Sequence, residues 1–380
     1  MLSQISPLLH GQRRKNGNDN DRETTERMRA TTAWFALAFG FSIHLFSSFV
    51  PLVSAQTNAV SLPSAAADEL SKVSSTYIVE LASSASDSPE SKKKKRSATP
   101  HQDFYDELRR RDVMFTKRSE WNLDDLFVGV ELVINTVTDL EAILNIDSVV
   151  AIRPVNLLYN PPLVSDQPLS GLSDPNVPAD LQATHVMTGV DKVHAQGNFG
   201  QGVTIGIIDT GIDYLNPSLG GGFGPGFLVK GGYDFVGDAY NGTNTPVPDA
   251  DPMDNCNGHG THVAGIIAAQ PGNIFNITGV AYKASINAYR VLGCSATGVV
   301  KDPVVVDALL KAYEDGNDVI TLSLGMGSGW ATSTTGVVAS RIAAKGRVVT
   351  ASLGNDGAAG AWYATSPASG NRVIAVGSVE

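Results

Sequence analysis

Cysteine is scarce in this 380-residue chain. The two present allow a single pairing, which is compatible with export without being a sign of it and leaves no room for a disulfide-built scaffold. Basic charge is also short: 28 Lys and Arg stand against 38 Asp and Glu, and the formal net charge of −10 argues against a nucleic-acid binder. A phosphate-binding glycine loop is absent as well. Gly220-Gly221-Gly222-Phe223-Gly224-Pro225-Gly226 misses the dinucleotide spacing, puts Pro225 where a glycine is required and opens no helix, so it reads as a surface loop. Unbroken apolar length is lacking too. The run at 33–53 contains Ser42, His44, Ser47, Ser48 and Pro51, which weighs against a membrane anchor. Length alone suggests two or more domains, with ample core for the larger.

What is present concentrates in Cys256-Asn257-Gly258-His259-Gly260-Thr261-His262-Val263-Ala264-Gly265. Val263, Ile266 and Ile267 share one helical face running to Gln270, and Pro271-Gly272 closes it. A glycine inside a helix costs about 1 kcal/mol relative to alanine, so Gly265 is expected where something approaches the backbone closely. His259 begins the helix, where the dipole favours a neutral imidazole. Such a ring accepts a proton once a carboxylate fixes its tautomer and a hydroxyl or thiol lies within reach. The carboxylate is Asp209. It ends Val203-Thr204-Ile205-Gly206-Ile207-Ile208, a run that reads as a parallel strand buried on both faces, and working groups of open α/β sheets sit just beyond such strand ends. His259 and His262 are spaced as a zinc pair, but no third ligand is apparent, so no metal is expected and His262 reads as a buried, hydrogen-bonded histidine. Cys256 reads either as a reactive thiol beside His259 or as the partner of Cys294, with pairing preferred.

Asp209-Thr210-Gly211, then His259-Gly260-Thr261-His262-Val263-Ala264-Gly265, then Ser352-Leu353-Gly354-Asn355-Asp356-Gly357, in that order, resembles the subtilisin-type serine proteases, or subtilases. The glycine-rich stretch 219–233 and the residues around His259 look most like the secreted branch related to minor extracellular proteases. The resemblance implies Asp209 and His259 as two members of a catalytic triad and Asn355 as the oxyanion donor. It implies Ser323-Leu324-Gly325 as an edge that hydrogen-bonds an extended peptide substrate. It also implies a nucleophilic serine in a Gly-Thr-Ser-Met-Ala block, which in subtilisin follows the asparagine by about 65 residues. No such block occurs, and Ser323, Ser352 and Ser378 stand in the wrong contexts. The chain is therefore expected to be an inactive, C-terminally truncated piece. Calcium is common in the family, but Ser218 stands where calcium-binding members carry an aspartate, and no cofactor is expected.

In chain order, residues 1–27 are a polar leader or lie before the true start at Met28. Residues 28–55 have the basic start, apolar middle and small-residue end of a signal peptide, which implies a secreted, extracellular protein. A Ser/Ala-rich linker covers 56–74. Residues 75–157 read as strand (77–81), helix (103–118), strand (126–134), a capping box at Thr138 opening a short helix, and strand (149–152). That is a small α+β, ferredoxin-like unit, similar to the inhibitory propeptide preceding subtilase catalytic domains, whose tail lies in the substrate cleft. Lys92-Lys93-Lys94-Lys95-Arg96 and Arg109-Arg110-Arg111 read as solvated loop or helix faces, the sharper reading being maturation cleavage or docking on an acidic catalytic domain. A proline-rich connector covers 158–184 and is expected to hold the maturation cut.

Residues 185–380 alternate strands and helices, with Asp302-Pro303 opening one helix, and specify an α/β, doubly wound parallel sheet, expected here as the N-terminal part of a catalytic domain. Asn241-Gly242-Thr243 and Asn276-Ile277-Thr278 are glycosylation sequons in an exported chain. The reading is a secreted serine endopeptidase made as a zymogen. Its expected partners are polypeptide substrates and its own propeptide, with no stable membrane anchor and a monomeric state. The alternative is a truncated product whose propeptide inhibits a related protease.

Overall fold

The computed structural model describes residues 75–83, 99–123, 125–159, 177–274, 276–295, 298–360 and 363–378. The expected leader, signal peptide and linker, the basic run at 92–96 and most of the connector lie outside the described residues.

β1 (Thr76–Leu81), α1 (Pro100–Arg110), β2 (Phe115–Leu123), β3 (Phe127–Ile134), α2 (Val137–Leu144) and β4 (Val149–Pro154) follow one another in the first unit. Its strands form an antiparallel sheet in the order β2-β3-β1-β4, the split βαβ arrangement. Strand alternation sorts its side chains onto two faces. Val79 and Leu81 of β1 and Val128, Val130, Leu132 and Ile134 of β3 bury against Phe104 and Leu108 of α1 and Ile143 of α2. Ile78 and Phe127, with Trp121 and Leu126, face the other way and join a second core.

Two local expectations are corrected. The helix expected at 103–118 stops at Arg110, and residues 115–123 form a strand. The chain turns at Asp112, whose φ of 57° is left-handed. Arg109 and Arg110 sit in the last helical turn, where basic charge complements the dipole, and both pair with acids of the same helix. The short helix is capped earlier than expected, by the Thr136 hydroxyl accepting from the Asp139 N–H at 3.0 Å.

β5 (Leu157–Tyr159) leads away from this sheet, followed by α3 (Ala183–Thr188) and α4 (Val190–Ala195). Strand and helix then alternate: β6 (Thr204–Asp209), β7 (Val229–Asp234), α5 (His259–Ala268), β8 (Ser285–Arg290), β9 (Val299–Lys301), α6 (Asp302–Glu314) and β10 (Val319–Leu322). After them come β11 (Met326–Gly327), α7 (Thr334–Ala344), β12 (Val348–Ser352), β13 (Thr365–Ser366) and β14 (Ile374–Val376). Six strands make one parallel sheet, β14-β12-β10-β6-β8-β7. Ile205 and Ile207 of β6 pack with Ala264 and Ala268 of α5. Ile208, on the opposite face, packs with Val305 and Leu309 of α6 and Ala339 and Ile342 of α7. Burial on both faces is why β6 is an unbroken apolar run. Connections from β6 lead toward β8, and those from β10 lead toward β12. The crevice beyond the carboxyl ends of β6 and β10 is thus a topological switch point, where such sheets place their working residues.

The first unit lies over α6 and α7. Trp121 and Phe127 share the core of those helices, and burying each such side chain fully stabilises by about 1.5–3 kcal/mol. Arg341 of α7 donates to the Leu126 carbonyl at 2.8 Å and pairs with Glu80, which also receives Arg153 at 2.8 Å. β5 runs antiparallel to β9, with Leu157 opposite Lys301 and Tyr159 opposite Val299. On its other side the Tyr159 N–H donates to the Gly325 carbonyl at 2.9 Å and the Gly325 N–H returns to Tyr159 at 3.3 Å. Asp302 opens α6 one position inside the helix, with Lys301 at the cap. Its carboxylate accepts from the Asn156 N–H at 3.1 Å. Among the described residues no helix is long and apolar enough to cross a membrane.

Candidate active site

Asp209 is the last residue of β6 and is 1% exposed. His259 is the first residue of α5, preceded by Gly258 in the left-handed region with φ 84°. Their side chains meet, with His259 Nδ1 2.7 Å from Asp209 Oδ1. A carboxylate only accepts, so Nδ1 carries the proton and Nε2 is left as the basic nitrogen. The Asp209 oxygen also accepts the Thr210 N–H at 2.7 Å. Such a pairing can fix the tautomer of an imidazole and leave its other nitrogen free to accept a proton.

Burial disfavours charge on His259, but the hydrogen bond and charge of Asp209, with the charge of Asp254, outweigh it and raise the ring above its ordinary pKa. The expected neutralising effect of the helix terminus is therefore overridden. The stabilisation from this pair is complete below the ordinary histidine pKa and is lost as pH rises through the higher value in the fold.

Close backbone approach occurs at Gly260, where a Cβ would lie 2.1 Å from the Gly211 carbonyl and 3.2 Å from Asp209 Cβ. Gly265, expected in that role, has open space beside it. The α5 terminus thus sits directly against the turn that follows β6.

Two residues hold this arrangement: Thr210, given no role beyond its place in the Asp209 block, and Asp254, which escaped the sequence reading. Asp254 is 2% exposed and accepts the N–H groups of Asn257 and Gly258 at 2.8 Å each and of Cys256 at 3.2 Å. It also accepts the Thr210 hydroxyl at 2.6 Å, and that hydroxyl oxygen accepts the Gly260 N–H at 2.8 Å. A readable signal was there: an aspartate a few residues before a glycine, the pattern of side chains that bond the backbone of a following turn. Thr261 completes the join by accepting the Asp213 N–H at 2.8 Å.

Cys256 and Cys294 form a disulfide with Cα atoms 5.5 Å apart, tying the histidine loop to the segment after β8 and leaving no free thiol. Buried Arg290, at the end of β8, lies against both sulfurs, pairs with Asp238 at 2.7 Å and donates to the Met253 carbonyl at 2.9 Å. Ser323 immediately follows β10 and Asn355 lies just past β12, so both stand at the same sheet edge as Asp209. Leu324 is buried, Gly325 pairs with Tyr159, and Asn355 is exposed. His262, expected to be buried, lies on the exposed face of α5. Of the sequons, Asn241 is exposed, whereas the Asn276 amide donates to the Val177 carbonyl at 2.8 Å.

With this geometry in hand, residues 200–380 match the model of the subtilase family. This part of the chain belongs to that family. Minor extracellular protease Vpr of Bacillus subtilis (strain 168) is 34% identical over 245 residues, 64% of this chain and 28% of that protein. Thermophilic serine proteinase of Bacillus sp. (strain AK1) is 40% identical over 185 residues, 49% of this chain and 40% of the relative. Subtilisin DY of Bacillus licheniformis is 38% identical over 192 residues, 50% of this chain and 61% of the relative. The chain thus spans from about a quarter to three-fifths of the length of these relatives. The match to the minor extracellular protease is too long to fit within the subtilase domain and so reaches into the residues before it.

Proposed function

We propose that the chain is the precursor form of a secreted subtilisin-type serine endopeptidase, with residues 75–157 serving as its inhibitor. The observation that carries this reading is the 2.7 Å contact between Asp209 and His259 at the switch point of a subtilase domain. In this reading His259 Nε2 takes the proton of a serine hydroxyl as it attacks the scissile carbonyl, then delivers it to the leaving amine. Asp209 holds the imidazole and stabilises the imidazolium, and the Asn355 amide donates to the oxyanion. Removing such a donor typically costs about 3–4 kcal/mol of transition-state stabilisation, a magnitude established on subtilisin itself.

The inhibitor role is supported by β5. Its antiparallel pairing with β9 on one side and Gly325 on the other is how an extended peptide adds to exposed strand edges. The proposed substrates are polypeptides taking that same track past Ser323, Leu324 and Gly325. Secretion is supported by the pattern of 28–55, by the disulfide and by the extracellular naming of one relative.

The Gly-Thr-Ser-Met-Ala block does not occur in the 380 residues. The proposal therefore predicts no fluorophosphonate labelling of this polypeptide. Labelling and casein hydrolysis are expected once the chain is extended by the serine-bearing remainder of a subtilase domain, and His259→Ala should abolish both. A folded extended chain that neither labels nor hydrolyses casein would refute the protease reading. The β5 pairing also supports a second reading, a non-catalytic product whose first unit inhibits a related protease. Inhibition of such an enzyme by this chain, with no labelling in the extended form, would select it.

A further inference from the structure

Away from the active site, three side chains converge where the start of the subtilase domain meets the loop after α5. Asp180 lies in a short 3-10 turn (Ala179–Leu181), His185 in α3 and His194 in α4. Each offers one ligand atom, and these atoms lie within 4.8 Å of one another. His185 is 7% exposed and the His194 side chain 1%, while Asp180 keeps 42% of its side chain open to solvent.

Hydrogen bonds within the protein fix the orientation of both rings. His194 Nε2 lies 2.9 Å from the Val280 carbonyl, which only a ring N–H can satisfy. The other nitrogen, Nδ1, lies 2.8 Å from Asp180 Oδ1. His185 also hydrogen-bonds the backbone, at Thr278, and its Nδ1 is buried with no partner. The two rings are in edge contact, 5.6 Å between centroids, so a proton on one repels a proton on the other.

The geometry points to a divalent cation of the zinc class held by Asp180, His185 Nδ1 and His194 Nδ1. Imidazole nitrogen and carboxylate oxygen bind zinc at about 2.0–2.2 Å, and metal-ligating histidines characteristically give their other N–H to a backbone carbonyl or carboxylate. Both rings here have that backbone partner. The Thr278 hydroxyl supports the third ligand by donating to Asp180 Oδ1 at 3.0 Å. The open side of Asp180 leaves room for water as a fourth ligand.

The site is a staple. Gly279, Val280 and Ala281 donate backbone N–H groups to Ala269, Ile266 and Ile267 at the end of α5, so the ion fastens residues 177–196 to the far end of the helix that begins at His259.

The full 380-residue chain, stripped with chelator, tests this with zinc sulfate alone. One equivalent is expected to bind and to raise the melting temperature by about 5 °C at a hundredfold excess over Kd. Histidine 15N spectra should show the Nδ1 resonances of His185 and His194 shifting on zinc addition while those of His259 and His262 stay in place. His185→Asn combined with His194→Asn should lose the bound equivalent. Absence of stoichiometric zinc, retention of it in the double variant, or shifts at His259 and His262 instead would overturn the assignment. The wild-type spectra decide the matter even if the double variant does not fold.

Discussion

Buried carboxylates do opposite things in two regions of this molecule. Beside the candidate active site, Asp254 is surrounded by donors: three backbone N–H groups and the Thr210 hydroxyl. Under the first unit, Asp302, Asp307 and Glu131 crowd together with few. Asp302 has Asn156 and its own backbone N–H, Asp307 has the Trp121 indole N–H at 2.5 Å, and Glu131 has Ser119. Burial pushes Asp302 up to about 7 and Asp307 up to about 6, and the charge of Glu131 adds to both. A satisfied buried acid locks a loop in place. An under-supplied one makes a contact conditional on protonation.

The largest effect should come from breaking the locked region at Gly260. In Gly260→Ala the new methyl has to displace the Gly211 backbone rather than a movable side chain. A loss of about 3–5 kcal/mol in urea unfolding is expected. A loss under about 1 kcal/mol would show that α5 is not held tightly against the β6 turn.

Asp254→Ala is next. It strands three N–H groups at the start of α5, and a cost of about 2–4 kcal/mol follows from unsatisfied buried donors. The readout that separates this from general instability is the His259 ring, whose pKa should fall as the Asp254 charge disappears. An unchanged His259 titration would detach Asp254 from the site.

These two regions also differ in how readable they were. The Asp209 and His259 blocks were legible because close backbone contact and strand-end chemistry permit few residue types at each position. The doubly wound sheet was legible from runs such as 203–208, since a strand buried on both faces is nearly continuous in apolar residues. β2 was not legible. It is an edge strand with Lys117 and Arg118 turned to solvent, and its charged residues continue the pattern of the helix before it. The acidic interface escaped as well, because Asp302 and Asp307 are spaced like ordinary polar positions on a helix, and only the sheet lying over α6 buries them. The Asp180, His185 and His194 group spans three short elements with no motif spacing, so only folding brings it together.

The conditional region should respond to pH. Asp302 and Asp307 hold raised pKa values while the first unit covers them, and return toward the ordinary carboxylate range when it leaves. The covered state therefore binds more protons. Its advantage is complete at pH values below the ordinary carboxylate pKa and declines as pH rises toward 7. Hydrogen exchange at Leu158 and Tyr159, corrected for intrinsic rates, should accelerate roughly tenfold or more between pH 5 and pH 8. Asp307→Asn should flatten that slope. A slope of the opposite sign would mean that the Glu80 ion pairs with Arg153 and Arg341 govern the contact instead.

The smallest effect is expected at His262, and it sharpens the boundary of the locked region. His262 is one turn from His259 on the same helix, in a block where most positions are constrained. Yet it is exposed, as is Ile266 one turn further on. Its neighbours are fixed by contact, Gly260 against a carbonyl and Thr261 by a hydrogen bond to Asp213, while His262 belongs to the helix face that turns away from the β6 strand. His262→Gln in this chain should therefore change unfolding free energy by less than about 0.5 kcal/mol. It should also leave the His259 titration in place, since Asp209 and Asp254 supply its shift. A larger loss would place His262 inside the hydrogen-bonded frame, and the locked region would then extend a full turn further along α5 than its contacts indicate.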